Sequence, residues 1–287
     1  RPEELYLDVS TGQNIYVNAL VEAARRYATY RALEAALEGG AFEIHILTYQ
    51  PITSKVKEEV DVHLYTLRPT AHLQLPPVDL NSIFRNNSDK PKLKNYSQHR
   101  ERLNVMYKEV KRAFNALTYG IPLAFYQILK FTAEEGELEK TAIELVKSLQ
   151  RENTPLRLVE TTNIFFAIAL YKSFKKFKNT LTEPYIDEIR DRFSELYKRI
   201  KMPAYDIYIR RELDDIEVRL KDIPYCKREV NLTEIYHTGG SGDRRRNFFA
   251  HAGFIKDYTK ATREDGRIKL MWLEERIGEI TSWIDNP

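Results

Sequence analysis

The sequence predicts an α/β segment followed by an all-α region. Three observations predict this. Residues 5–67 place β-rich runs on either side of one long helical pattern. Residues 76–97 are polar and broken by prolines. Beyond them apolar residues recur at helical spacing, with no convincing strand. The expected division is 1–75, a linker over 76–97, and a helical domain over 98–287.

Leu5-Tyr-Leu-Asp-Val9 reads as a strand, stopped by Ser10-Thr-Gly12. A helix is expected from about Asn14 to Leu37, with Ile15, Ala19, Leu20, Ala23, Tyr27, Tyr30, Leu33 and Leu37 near one face. Gly39-Gly40 ends it. Strands are expected over Phe42–Tyr49 and Val60–Leu67. Together they suggest a strand–helix–strand unit of the doubly wound kind. So few strands make a poor parallel sheet alone, so further strands are expected before residue 1, and the chain reads as part of a longer polypeptide. The linker holds Pro76-Pro77, Asn86-Asn-Ser-Asp89 and Pro91. Helices are then expected over about 98–118, 122–131, 135–151, 158–178, 184–201, 204–222, 243–258 and 268–284. The clearest pattern is Ile186, Ile189, Phe193, Leu196 and Ile200, with Pro184 at its start.

A net charge of +3 gives no global basic field, so any nucleic-acid site must come from local clustering. Cys226 is the one cysteine, which excludes an internal disulfide and a cysteine-based zinc site. A reducing cytoplasm fits. No apolar run is long enough to span a bilayer, and there is no signal-peptide pattern. No carboxylate, histidine and cysteine cluster has metal-ligand spacing, so neither metal nor cofactor is expected.

Function is expected where local rules are broken. Thr238-Gly-Gly-Ser-Gly242 runs into Asp243-Arg-Arg-Arg-Asn-Phe-Phe-Ala-His251. Asp243 or Ser241 can cap a helix opening near Arg244. Arg244, Arg245 and Arg246 then occupy a first turn that prefers acids. An anion among them would relieve the repulsion, and free N–H groups plus arginines suit phosphate. Asn247 and His251 follow. On a helix, residues five apart are rotated by about 140° and separated by ~7.5 Å, so Arg246 and His251 share no narrow stripe. Two such helices meeting at a two-fold axis would form a composite site. The bland alternative is a solvated basic helix with a histidine at its rim.

Arg246, Asn247 and His251 resemble the Arg-x4-His signature of the HEPN ribonucleases, which has a polar residue after the arginine. The resemblance implies metal-free cutting of single-stranded RNA by a homodimer or higher oligomer.

A second stretch, Asp8-Val-Ser-Thr-Gly-Gln-Asn14, lies where a strand ends and a helix begins. Ligands bind there in open α/β sheets. Asp8, Ser10, Thr11, Gly12, Gln13 and Asn14 are the candidate ligand-binding residues; an ordinary capped turn is the alternative. Asp-x-[Ser/Thr]-x-Gly-x-Asn resembles a motif of CARF sensor domains, with Thr11 where that family often has histidine. CARF domains pair with HEPN domains in ancillary ribonucleases of type III CRISPR systems. The resemblance implies the C-terminal half of a Rossmann-like sensor, then the HEPN domain. It also implies a cyclic oligoadenylate activator, with cyclic tetra-adenylate as the expected ring.

The leading expectation is therefore an endoribonuclease of antiviral defence, switched by cyclic oligoadenylate and leaving 2′,3′-cyclic phosphate and 5′-hydroxyl ends. Its rivals are a non-catalytic HEPN nucleotide-binding or antitoxin-like module, and a CARF-linked regulator that binds DNA. Arg244, Arg245 and His237 are candidate RNA contacts. His45, His63, His72 and His99 are expected to be structural or surface residues. Lys172, Lys175, Lys176 and Lys178 read first as a solvated face and second as an RNA-guiding patch.

Overall fold

The computed structural model describes residues 4–9, 14–38, 42–49, 62–67, 75, 78, 96–149, 155–200, 202–223, 229–236 and 242–287. The chain divides into two compact units, 1–74 and 75–287. The expected linker lies almost entirely outside the described residues.

In the first unit, β1 (Glu4–Asp8) and β2 (Glu43–Tyr49) are parallel and joined through α1 (Asn14–Leu37). The third strand, β3 (Val62–Leu67), runs antiparallel to β2, with Ile46 opposite Tyr65. The sheet is thus mixed rather than a run of parallel strands. Its core packs Ala28 of α1 against Phe42 and Ile44, and Tyr27 meets Phe42 edge-on at 5.9 Å. The buried face of α1 is Ala24, Ala28, Leu33, Ala36 and Leu37. The expected face began further toward the N-terminus, but Ala19, Leu20 and Ala23 are exposed. Only the C-terminal half of α1 lies against the described sheet. His45 is buried, with Nδ1 3.2 Å from Thr66 Oγ1 and its ring stacked on Tyr6, so its role is structural.

The second unit holds α2 (Tyr96–Thr118), α3 (Leu123–Gln127), α4 (Glu135–Leu149), α5 (Pro155–Asn179), α6 (Ile186–Arg199) and α7 (Pro203–Leu220). The 3-4 alternation of α6 buries Ile186, Ile189, Phe193 and Leu196. Phe193 joins Phe125, Phe174 and Phe177 in an aromatic core, with ring centroids 5.6–6.1 Å apart around Phe125. Tyr197 donates to the Leu117 carbonyl at 2.7 Å, tying α6 to α2. His99 is buried between Thr141 and Glu144 of α4, which makes it structural. Lys172 and Lys175 pair with Glu139 and Glu135 of α4, so they bind two helices together rather than presenting a free basic patch.

The expectation of an all-α second region is corrected here. Three antiparallel strands, β4 (Glu229–Asn231), β5 (Thr259–Glu264) and β6 (Arg267–Trp272), form a sheet in that order. The helix expected over 268–284 is instead β6, a short 3-10 turn and α9 (Ile277–Asp285). The physical reason is the Asp265-Gly266 turn, with φ of 48° and 76°. Two consecutive positive φ angles match the right-handed twist of a hairpin. Leu270 and Trp272 alternate inward on β6, whereas a helix would separate them by ~200°. The helix expected over 243–258 shortens to α8 (Arg244–Ala250).

Side-chain contacts tie the sheet to the helices and the helices to one another. Gln127 brackets Trp272, accepting from its backbone N–H at 2.8 Å and donating to its carbonyl at 3.4 Å. Arg112 of α2 grips Asp285 of α9 through two hydrogen bonds of 2.7 and 2.6 Å. No helix among the described residues is long and apolar enough to cross a membrane.

Candidate active site

Asp243 is the N-cap of α8: its carboxylate accepts from the backbone N–H groups of Arg245 and Arg246 at 2.9 and 3.2 Å. The Asn247 N–H donates to the Asp243 carbonyl at 2.9 Å. These three amides are therefore occupied within the chain and are not free to cradle an anion. The capping carboxylate also offsets the three arginines electrostatically. Any anion here is met by side chains.

The three arginines differ. Arg245 donates to the Asn286 carbonyl, so it ties α8 to the chain's last residues. Arg244 lies near enough to Tyr258 to act on its ionisation. Arg246 is exposed, and its guanidinium has no hydrogen bond or ion pair among the described residues. Asn247 is half-buried beside Gly242, where an added Cβ would sit 3.2 Å from Asn247 Nδ2. Gly242 thus lies close against the Asn247 amide.

Phe248 is the anchor of α8. It is fully buried against Trp272 and Trp283, with centroids at 5.8 and 5.4 Å. Phe249, one residue on, packs on Tyr119 at 5.0 Å. The aromatic pair fixes the roll of the short helix and turns Arg246 and Asn247 away from the core.

His251 is the C-cap, with φ −129° and ψ 34°. The projection of Arg246 and His251 along one helix therefore does not apply: a turn places the histidine, not a fifth helical residue. Ala252 and Gly253 follow with φ of 49° and 80°. Gly253 N–H donates to the Phe248 carbonyl at 2.9 Å and Phe254 N–H to His251 O at 2.7 Å. Such left-handed closure satisfies the last helical carbonyls. A non-glycine residue held at positive φ stores strain of order 1 kcal/mol, a feature that clusters at functional sites.

Sequence reasoning missed Glu212, on α7. Its Oε2 lies 3.1 Å from His251 Nδ1; the histidine side chain is 51% exposed and the glutamate 16%. Nothing in the local sequence singles out one acid among the charges of α7, and 39 residues separate the pair. Tyr208, one turn before Glu212, points its hydroxyl at the same turn, 3.5 Å from the Phe249 carbonyl oxygen. Burial, and then the Glu212 charge, push the Tyr208 hydroxyl up to about 12, so it stays protonated at neutral pH.

The other expected site residues fall as follows. His237 and Ser241 lie outside the described residues. So do Ser10, Thr11, Gly12 and Gln13; Asp8 is the exposed last residue of β1, and Asn14 opens α1. Arg246 and Asn247 lie on α8, and His251 lies in its closing turn. Among the described residues no three His, Cys, Asp or Glu side chains converge to hold a metal ion.

This geometry coincides with a family match. Residues 202–274 match the family described as CRISPR system endoribonuclease Csx1, HEPN domain. The match supports a CRISPR-associated HEPN ribonuclease. The matched segment runs from α7 through β6, so it contains Glu212, Arg246, Asn247 and His251. It covers about a quarter of the chain and lies wholly in the second unit. No curated protein matches the chain.

Proposed function

We propose that the protein is an endoribonuclease that cuts single-stranded RNA without a metal, at a site built from Arg246, Asn247 and His251. One observation carries this reading: within the HEPN-matched segment, an arginine with no partner among the described residues sits in the first turn of a seven-residue helix, and an exposed histidine backed by a carboxylate caps its other end.

RNA supplies its own nucleophile, the 2′-hydroxyl. Its oxygen attacks the adjacent phosphorus as its proton leaves, the bond from phosphorus to the 5′-oxygen breaks, and that oxygen takes up a proton. The products are a 2′,3′-cyclic phosphate and a 5′-hydroxyl. Arg246 suits the charge that builds on the phosphoryl oxygens, as a permanent cation with a planar fork of donors. His251 suits the proton transfer near neutral pH. Asn247 holds the phosphate or the imidazole through its amide.

The active form is a two-fold dimer, with two copies of the site facing each other. Cyclic oligoadenylate at Asp8–Asn14 is the activator, and type III CRISPR defence the setting. The second unit's reading rests on its geometry and family match. The first unit's rests on the resemblance of its turn motif.

The test is the chemistry of the cut ends. RNA labelled at its 5′ end and cleaved by the protein should yield fragments whose 3′ ends resist phosphatase until the cyclic phosphate is opened. Fragments with free 3′-hydroxyls would rule out this mechanism.

A further inference from the structure

We propose that Glu212 is the positioning residue for His251, holding the imidazole with its proton on Nδ1 so that Nε2 carries the lone pair used in proton transfer. This rests on the reading of His251 as the proton-transfer group.

The acids of α7 have different partners. Asp206 pairs with Arg210 at 2.7 Å. Asp214 and Glu217 both pair with Arg190 at 2.8 Å. Asp215 pairs with Arg219 at 2.9 Å. Each is matched by an arginine. Glu212 differs: among the described residues its hydrogen-bonding partner is the His251 ring, and its side chain is only 16% exposed. A carboxylate withdrawn from water needs a donor, because burying it unsatisfied costs several kcal/mol or shifts it to the neutral form. An ionised carboxylate only accepts, so the ring nitrogen facing it must donate. Nδ1 is that nitrogen, and Nε2 is left as the basic atom of the neutral ring.

The surroundings hold both partners in place. Tyr208 stands one turn before Glu212 and faces the backbone that carries the histidine. The closure through Gly253 and Phe254 fixes the histidine's own backbone. An outer carboxylate fixes the histidine tautomer in metal sites, where its loss typically costs about 10–100-fold in affinity or activity, and in the Ser-His-Asp triad, where it costs about 10⁴ in kcat; for a half-exposed imidazole such as His251 the lower range is the expected one.

The experiment compares the full chain with Glu212→Ala, Glu212→Gln and Asp214→Asn. The last removes an acid on the same helix that pairs with Arg190 instead. Two readouts are taken. The first is kcat and KM on labelled single-stranded RNA. The second is the ¹⁵N-detected tautomer of His251, assigned by its disappearance in His251→Ala. The expected result for Glu212→Ala is a kcat about 10–100-fold lower with KM within about twofold, and movement of the ring proton from Nδ1 toward Nε2. Glu212→Gln keeps an accepting oxygen and should fall between, while Asp214→Asn should match the parent in both readouts. An unchanged kcat, a loss confined to KM, or a tautomer that ignores Glu212→Ala overturns the proposal. Cleavage that survives His251→Ala instead overturns the ribonuclease site, and the tautomer readout still decides whether Glu212 sets the ring.

Discussion

Trp272 Nε1 donates to the Gly253 carbonyl at 2.8 Å, and the same indole crowds the space a side chain would need: a Cβ on Gly253 would lie 3.2 Å from Trp272 Cζ2 and 3.0 Å from Ile121 Cγ2. The turn that carries His251 is thus clamped to the sheet from below. Gly253→Ala meets both this crowding and a φ of 80°. It should cost about 1–3 kcal/mol, read as a lower thermal midpoint, and should also lower activity through His251. Trp272→Phe should cost a similar amount by leaving a buried carbonyl without its donor. A Gly253→Ala protein with unchanged midpoint would show that the turn tolerates a side chain.

Asp206 gives a stability prediction with a definite sign. Burial opposes its ionisation, but hydrogen bonds from Ser194 and Arg210 outweigh this and hold the carboxyl below its usual value. The folded state therefore favours the ionised form. That stability is present above the unfolded value of about 4 and is lost as pH falls through the lower folded value. Asp206→Asn should unfold more easily than the parent at pH 7, by about 1–3 kcal/mol for lost charge-assisted hydrogen bonds. The gap should close on acidification below about pH 4. A gap that persists in acid would assign the loss to packing instead.

The proposed activator couples a turn of the first unit to the site of the second. A ligand shifts an equilibrium only by its differential affinity for the two states. Asn14→Ala and Gly12→Leu should therefore abolish stimulation of RNA cleavage by cyclic tetra-adenylate while leaving basal cleavage within about twofold. Equal stimulation of parent and variants would remove Asp8–Asn14 from the sensing role.

The proposed composite site makes activity depend on assembly. Arg246→Ala and His251→Ala chains, mixed under conditions that allow subunit exchange, should not regain parental activity, because each mixed dimer carries one intact copy of each residue. Full specific activity from chains shown to be monomeric by sedimentation would refute the shared site.

The start of α8 was legible because a cap is local: Asp243 precedes three arginines, and its carboxylate accepts from the amides two and three residues on, those of Arg245 and Arg246. The inward face of α6 was legible because its apolar spacing is regular. The β5–β6 hairpin was missed although Asp265-Gly266 is a strong turn signal; Arg, Lys, Leu and Met around it also favour helices. The early end of α8 had a signal as well, in Gly253 just beyond His251. Glu212 had none, because its importance is a contact between α7 and a turn 39 residues later. For α1 the apolar residues near its start offered an obvious stripe, but burial follows the sheet, which reaches only Ala24 and beyond.

In the proposed mechanism Arg246 and His251 carry out RNA cleavage without a metal. Its most direct test is the cleavage rate of labelled single-stranded RNA in excess EDTA, for the parent, Arg246→Ala and His251→Ala. The account predicts that the parent cuts at an undiminished rate. Each folded variant should be slower by at least about a hundredfold, the usual cost of losing a proton-transfer or charge-stabilising group. Near-parental cleavage by either folded variant, or parental activity that vanishes with EDTA and returns with magnesium or manganese, would contradict it.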